Sequence, residues 1–410
     1  KELSEAIARI QVGQETIKAL DDFSKRIETL NEEEQKTLTG LLSGNTSAFN
    51  IAPTMPSKKT LDEYAKKLGY DNFIQLGYDR MKRTGYTVND IAKFRDAVKE
   101  FIVPVTGALN EIKKKITGLD NLYYYDSGIN FRDGNPTPKG SPEWIVENAK
   151  KMYSELSDET GEFMDFMIDH EVMDLYNKEG KSAGGYCTYI PNYRSPFIFA
   201  NMNGTDHDIK VLTHEAGHAF QAFKSRNFEM PEYSTPTMEA CEIHSMAMEF
   251  ITWPWMELFF KEDTDKFLFS HLSGTLKFIP YGVTVDEFQH FVYENPDATP
   301  AERKSKWREI EKKYMPEKDY SGNEFLERGG FWFQQGHIFK SPFYYIDYCL
   351  AQICALEFWR KCNQDRVIAL KDYIDLCKEG GSKPFLELVK TGKIDSPFEK
   401  EVIESIVRYA

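Results

Sequence analysis

His214, Glu215 and His218 stand in the order His-Glu-x-x-His inside Val211-Leu-Thr-His-Glu-Ala-Gly-His-Ala-Phe220. On a helix, two imidazoles four residues apart lie one above the other, about 6 Å along the axis, and can share one tetrahedral divalent ion. Glu215, one step round from His214, can reach a water on that ion as general base. The chemistry that this spacing points to is hydrolysis assisted by zinc.

A hydrolytic zinc site takes three protein ligands and keeps the fourth position for water. The astacin-like continuation, glycine and then histidine three and six residues on, is excluded because Gln221 and Lys224 stand there. The remaining route is a carboxylate from a following helix. Pro236-Thr-Met-Glu-Ala-Cys-Glu-Ile-His-Ser-Met-Ala-Met-Glu-Phe250 supplies Glu239, Glu242 and Glu249, which fall within about 80° of one another on a helical wheel. Glu242, the middle one, is the expected third ligand. His244 faces another side and reads as a core or pocket histidine.

The elements that must position these groups are legible as periodicity. Ile209, Leu212, Ala216, Phe220 and Phe223 form an apolar stripe at helical spacing, so His214 and His218 point away from the core side of one helix. Gly204-Thr-Asp206 and Asp208 offer turn and N-cap chemistry just before it. Upstream, residues 180–189 and 196–201 read as short strands bounded by Gly, Pro and Asn. A strand beside a hydrolytic metal can hold an extended peptide through main-chain hydrogen bonds, which makes Phe197, Ile198, Phe199, Ala200 and Asn201 the expected peptide-binding edge.

His-Glu-Ala-Gly-His-Ala-Phe, followed some twenty residues later by Pro-Thr-Met-Glu-Ala-Cys-Glu-Ile-His-Ser-Met, resembles the oligoendopeptidase F and Pz-peptidase branch of the thimet oligopeptidase family. The likeness runs from about residue 58 to the end. It implies a zincin-like, two-lobed helical fold with zinc on His214, His218 and Glu242 and with Glu215 as the base. A second segment, Gly329-Gly330, then His337, then Phe343-Tyr-Tyr-Ile-Asp-Tyr348, is similar to the family's histidine and tyrosine segment. The likeness gives His337, Tyr345 and Tyr348 the role of assisting the transition state, and Gly329 and Gly330 that of a flexible substrate loop. A donor of this kind suits peptide hydrolysis, since a phenol can hydrogen-bond a developing oxyanion without adding a charge. Ser341-Pro342 reads as N-cap and first helical position, so that Tyr345 and Tyr348 share a face.

The rest of the chain reads as helix. Residues 2–42 suggest two amphipathic helices and 43–56 a linker, with a helical catalytic domain over 58–410; relatives of this type carry a longer N-terminal lobe at that point. Pro104 reads as a kink or break in a helical stretch over 72–117. Ser141-Pro142 starts a helix that ends near Leu156, and capping boxes at Thr284, Thr299 and Ser396 open three more. The fold class is mainly α with a small β-sheet beside the active-site helix. A net charge of −14 argues against nucleic-acid or anionic-membrane partners. No signal-type run and no stretch of eighteen apolar residues is present, and six cysteines without C-x-x-C pairs fit a reduced, cytoplasmic setting. The expected function is a zinc metalloendopeptidase of short peptides. A dipeptidyl carboxypeptidase, which needs a cation for the substrate C-terminus, and a non-catalytic metal-bearing peptide binder are the rivals.

Overall fold

The computed structural model describes residues 58–410; the helices expected over 2–42 and the linker over 43–56 lie outside the described residues. Residues 58–80 and Gln289–Pro300 form one compact unit. Here α1 (Lys58–Lys67) and α2 (Phe73–Arg80) bury Leu61, Ala65 and Phe73. Phe73 packs on Tyr293 with ring centroids 4.8 Å apart, and the Tyr78 hydroxyl meets His290 Nε2 at 3.2 Å.

Met81–Phe288 with Ala301–Ala410 forms the other unit, which carries the whole candidate site. Its first helices are α3 (Val88–Ala97), α4 (Val103–Thr117), α5 (Pro142–Leu156) and α6 (Asp158–Asp169). Pro104 sits in the first turn of α4, after a π-helical turn over Val98–Ile102. The helical run therefore continues past the proline without a break, the π turn just before it being the place where the regular i−4 pattern that proline cannot join is given up. Ser141 caps α5 as expected, accepting from the Trp144 amide at 3.3 Å.

Strands β1 (Met173–Tyr176), β2 (Tyr186–Ile190) and β3 (Ser195–Met202) make one sheet in the order β1-β3-β2. β3 pairs parallel with β1 and antiparallel with β2. This corrects the expected peptide-binding edge: Phe197, Ile198, Phe199, Ala200 and Asn201 lie on the central strand, whose main-chain groups face neighbours on both sides. Ile198 and Ala200 are buried, and the Asn201 amide donates to the carbonyls of Ser182 and Gly184 at 2.9 and 2.8 Å. The strand left with an open edge, among the described residues, and next to the metal-site helix is β2.

The sheet rests on α7 (Asp206–Ser225), which is followed by α8 (Met238–Ile251), α9 (Thr264–Glu294), α10 (Pro300–Tyr314), α11 (Tyr345–Gln364), α12 (Arg366–Glu379), α13 (Phe385–Thr391) and α14 (Lys400–Tyr409). The turn into α7 is tied by the buried Asp208 carboxylate, which accepts from the amides of Asn203 and Gly204 at 3.0 and 2.7 Å. All five residues of the apolar stripe are buried. Two expected helix starts do not occur. Thr284 lies inside α9, where its hydroxyl donates to the Pro280 carbonyl at 2.8 Å, and α14 takes Glu399 as its N-cap in place of Ser396. At Thr284 tertiary packing carries the helix through a local capping pattern, whereas at Ser396 a turn comes first and the helix starts at Lys400.

α8 lies between α7 and α11, and its approach to α7 is fixed by one residue. A Cβ on Gly217 would stand 2.5 Å from the His244 carbonyl oxygen and 2.6 Å from Ser245 Cα. Backbone atoms cannot swing aside as a side-chain tip can, so a methyl group there forces the helices apart. Gly217→Ala should therefore destabilise the protein by about 1–3 kcal/mol despite alanine's better helix propensity. Denaturant melts of the two proteins check this, and an unchanged midpoint would refute the close packing.

Candidate metal centre

His214 and His218 rise one turn apart from α7, their ring centroids 5.0 Å apart, and α8 presents Glu242 across from them. Glu242 Oε2 lies 3.3 Å from His214 Nε2 and 3.5 Å from His218 Nε2. One ligand atom from each of the three lies within 4.8 Å of the others. Ligands about 2.0–2.2 Å from a tetrahedral ion stand roughly 3.3–3.5 Å from one another, so the donor set fits a zinc-sized divalent ion. The charges agree. Burial opposes ionisation of Glu242, yet His218 and His214 hold its carboxyl well below the usual range. Burial also disfavours a charged His214, but hydrogen bonds to Glu242 and Glu249 raise it well above the ordinary imidazole value. The pocket calls for a cation, a proton or a metal, between these groups.

A chain of hydrogen bonds orients the first ligand. The Trp253 indole N–H donates to His271 Nδ1 at 2.8 Å. Because indole can only donate, the ring proton of a neutral His271 sits on Nε2 and points at Glu249 Oε2, 2.8 Å away. Glu249 Oε1 is then the acceptor for His214 Nδ1, also at 2.8 Å, which leaves the His214 Nε2 lone pair for the ion. Burial works against a charged Glu249, but its two histidine partners bring its carboxyl down to about 2. Glu242 is held from behind as well: Tyr344 donates to Oε1 at 2.5 Å and the Ser245 hydroxyl meets Oε2 at 3.1 Å.

Glu215 is 7% exposed, and its Oε2 has no hydrogen-bond partner. Burial raises its carboxyl above the ordinary value, as suits a group that accepts and returns a proton. On its other side is the turn into β2, where a Cβ on Gly185 would lie 3.5 Å from Glu215 Oε1.

His337, Tyr345 and Tyr348 share with His214, Glu249 and His271 the walls of one cleft of about 340 Å³. The His337 ring lies 5.0 Å from that of Tyr345 and 5.9 Å from that of Tyr348. The Tyr281 hydroxyl donates to Gln335 Oε1 at 2.8 Å, and Gln335 Nε2 donates to His337 Nδ1 at 2.6 Å. The proton of neutral His337 therefore sits on Nε2, and burial keeps the ring below its ordinary pKa. Ser341 does not cap this segment, however. Phe343 has φ +64°, which separates Pro342 from the helix, and α11 begins at Tyr345 with Tyr344 as its N-cap. The Arg83 guanidinium holds this bend, donating to the Phe343 carbonyl at 2.5 Å and to the Asp347 carboxylate. The bend turns Tyr344 toward Glu242, a role that the sequence reading missed. The available signal was the four-residue spacing of Tyr344 and Tyr348, whose rings lie 4.9 Å apart.

Gly329 and Gly330 are elsewhere. Both are buried, with the Lys304 carbonyl in the space of a Gly329 Cβ and the Phe325 ring in that of a Gly330 Cβ; neither lines the cleft. His244 is a core residue, 0% exposed, and burial drives its imidazole down to about 4.

Comparison with known proteins adds a lineage to this geometry. The family model described as Peptidase family M3 matches residues 43–408. A relative named oligoendopeptidase F homolog, from Borreliella burgdorferi (strain B31), is 26% identical over 311 residues, 74% of this chain and 52% of its own. Another of the same name, from Lactococcus lactis subsp. lactis, is 23% identical over 330 residues, 78% of this chain and 53% of its own. A solved structure described as Pz peptidase A with inhibitor 2 is 59% identical with a TM-score of 0.83, covering 86% of this chain and 62% of that one. The chain thus spans about half the length of the curated relatives it matches.

The relay to His214 makes a prediction. Glu249→Gln offers one acceptor to two N–H groups, so either His214 or His271 loses its partner. Affinity for a divalent metal, measured by competition with a chromophoric chelator, should fall about 10–100-fold. Unchanged affinity would mean that Glu249 does not orient His214.

Proposed function

The chain belongs to peptidase family M3, and from that premise we propose that it is a zinc-dependent oligoendopeptidase that cuts internal bonds of short peptides. The observation that carries this reading is the buried carboxylate of Glu215, unpartnered at Oε2, next to three converging metal donors. Other buried carboxylates with one open oxygen, Glu239, Asp286 and Asp347 among them, are held through the second oxygen. Glu215 makes no hydrogen bond among the described residues, which leaves its carboxylate available to exchange a proton.

When bound on His214, His218 and Glu242, zinc supplies Lewis acidity for water and carbonyl alike. The Glu215 carboxylate accepts the proton of the attacking water and later returns it to the leaving nitrogen. The phenols of Tyr348 or Tyr345 and the Nε2–H of His337 donate toward the carbonyl oxygen as it gains charge. Tyr344 and Ser245 keep Glu242 aimed at the imidazoles. The peptide lies along the open edge of β2, where main-chain pairing is indifferent to side chains and a range of short sequences is accepted. Glu215 stands beside the Gly185 turn at the start of that strand, which brings the base to the backbone of a peptide paired there. The setting we propose is cytoplasmic, supported by six unpaired cysteines.

Mass spectrometry of a peptide-library digest, run beside a folded protein, tests the reading. Internal cleavage of the peptides is expected, with the folded protein left intact. Glu215→Gln should lower kcat by about 10²–10⁴-fold with metal content unchanged. Equal turnover by the two proteins would remove Glu215 from the mechanism.

A further inference from the structure

A second cavity, of about 530 Å³, adjoins the metal cleft, and Lys210 and Gly274 line both. Gly274 stands in the middle of α9, where glycine costs roughly 1 kcal/mol relative to alanine. Packing does not explain it, because a Cβ there would meet nothing within 4 Å. A glycine there leaves that point of the wall shared by the two spaces without a side chain.

The charged groups of the second cavity are all engaged but one. Asp126 accepts from the Tyr123 amide at 2.9 Å, Glu317 from the Asn110 amide at 2.7 Å, and Asp319 from the Ser321 amide at 2.7 Å. Lys113 donates to the carbonyls of Asp126 and Ser127 at 2.7 and 2.9 Å. Lys210 pairs with Asp206 at 2.6 Å, and Lys318 lies 3.8 Å over the Phe331 ring. Lys277, half-buried, has neither a hydrogen bond nor an ion pair among the described residues. Burial lowers the pKa of its ammonium, against the attraction of Glu317, and burial together with Lys277 pushes Lys113 down to about 8. A cation so placed has a carboxylate in the same cavity, Glu317, but none in direct contact.

His271, Gly274 and Lys277 follow at intervals of three residues along α9, each neighbouring the last, on a line that turns about 120° around the helix from His271 at the metal cleft to Lys277 in the second cavity. Lys277 is thus about 9 Å along the axis from the histidine that supports the metal centre, a span of roughly three residues of extended peptide. We propose that Lys277 anchors a carboxylate of the bound peptide, its C-terminal carboxylate or an Asp or Glu side chain, past Gly274. The proposal rests on the reading of the site as a peptidase centre. It gives that site a preference for where negative charge lies relative to the cut bond.

Binding in the Glu215→Gln protein, read by anisotropy of labelled peptides, tests the anchor without turnover. One peptide is prepared with a free C-terminus and one glutamate, then with its C-terminus amidated, and then with its glutamate changed to glutamine. One neutralised form should bind about ten- to a hundred-fold more weakly, and which one it is names the carboxylate. Adding Lys277→Gln should bring the forms to one Kd, and Lys277→Glu should reverse their order. Equal Kd values in the Glu215→Gln protein, or a difference that survives Lys277→Gln, would overturn the anchor. Cleavage by the wild-type protein is scored separately. Binding that depends on charge and on Lys277 without any cleavage would leave the anchor standing and the peptidase reading refuted.

Discussion

Two helix backbones in near contact at Gly217 are the constraint from which the metal centre follows. One turn of α7 can furnish two imidazoles and no more, because the third position on that face lies a further turn away. The remaining donor must come from another element, and a glutamate is short. With a Cβ on residue 217 directed at the His244 carbonyl, α8 would stand back and Glu242 would no longer lie 3.3 and 3.5 Å from the two rings. The glycine inside the His-Glu-x-x-His motif therefore serves the packing that completes the candidate ligand set.

That packing brings Glu215, Glu242 and Glu249 close together in a buried region, a costly arrangement for carboxylates. Each is handled differently. Glu242 and Glu249 are stabilised as anions by imidazoles, tyrosine and serine, whereas Glu215 is left with an open oxygen and a raised pKa. Two carboxylates held ionised and one with a raised pKa is the division of labour that the proposed acid–base chemistry beside a metal needs. The supporting groups reach back through Glu249 and His271 to Trp253, so ligand orientation is tied to the core on the far side of α8. The Arg83 clamp on Phe343 does the same for the tyrosines, since a left-handed phenylalanine persists only where its surroundings over-determine it.

Local spacing made half of this site legible. The stripe from Ile209 to Phe223 set the face of α7, and the wheel of α8 singled out Glu242; both depend on residues within one helix. Trp253 and His271 were invisible for the opposite reason. They join Glu249 through folding of the chain after α8, and a lone histidine or tryptophan has no spacing to read. The sheet shows the same limit. β3 has the alternation of a strand, but its place between β1 and β2 depends on Met173–Tyr176, four residues too few to carry a period. The helix expected from Ser341-Pro342 failed where Arg83, some 260 residues away in sequence, determines the backbone.

The long helix α9 joins these threads. Its His271 closes the relay to the metal centre, its Phe278 lines the metal cleft between the two walls, and its Tyr281 fixes the tautomer of His337 through Gln335. Orientation of a candidate metal ligand and of the proposed oxyanion donor is thus set from one helix, which holds its residues at defined axial spacing where loops would let them drift. The chemistry of the cleft and the dimensions of the space beside it are for that reason not independent: a shift of α9 along its axis would change both together, and packing of its buried face against the core is what prevents one.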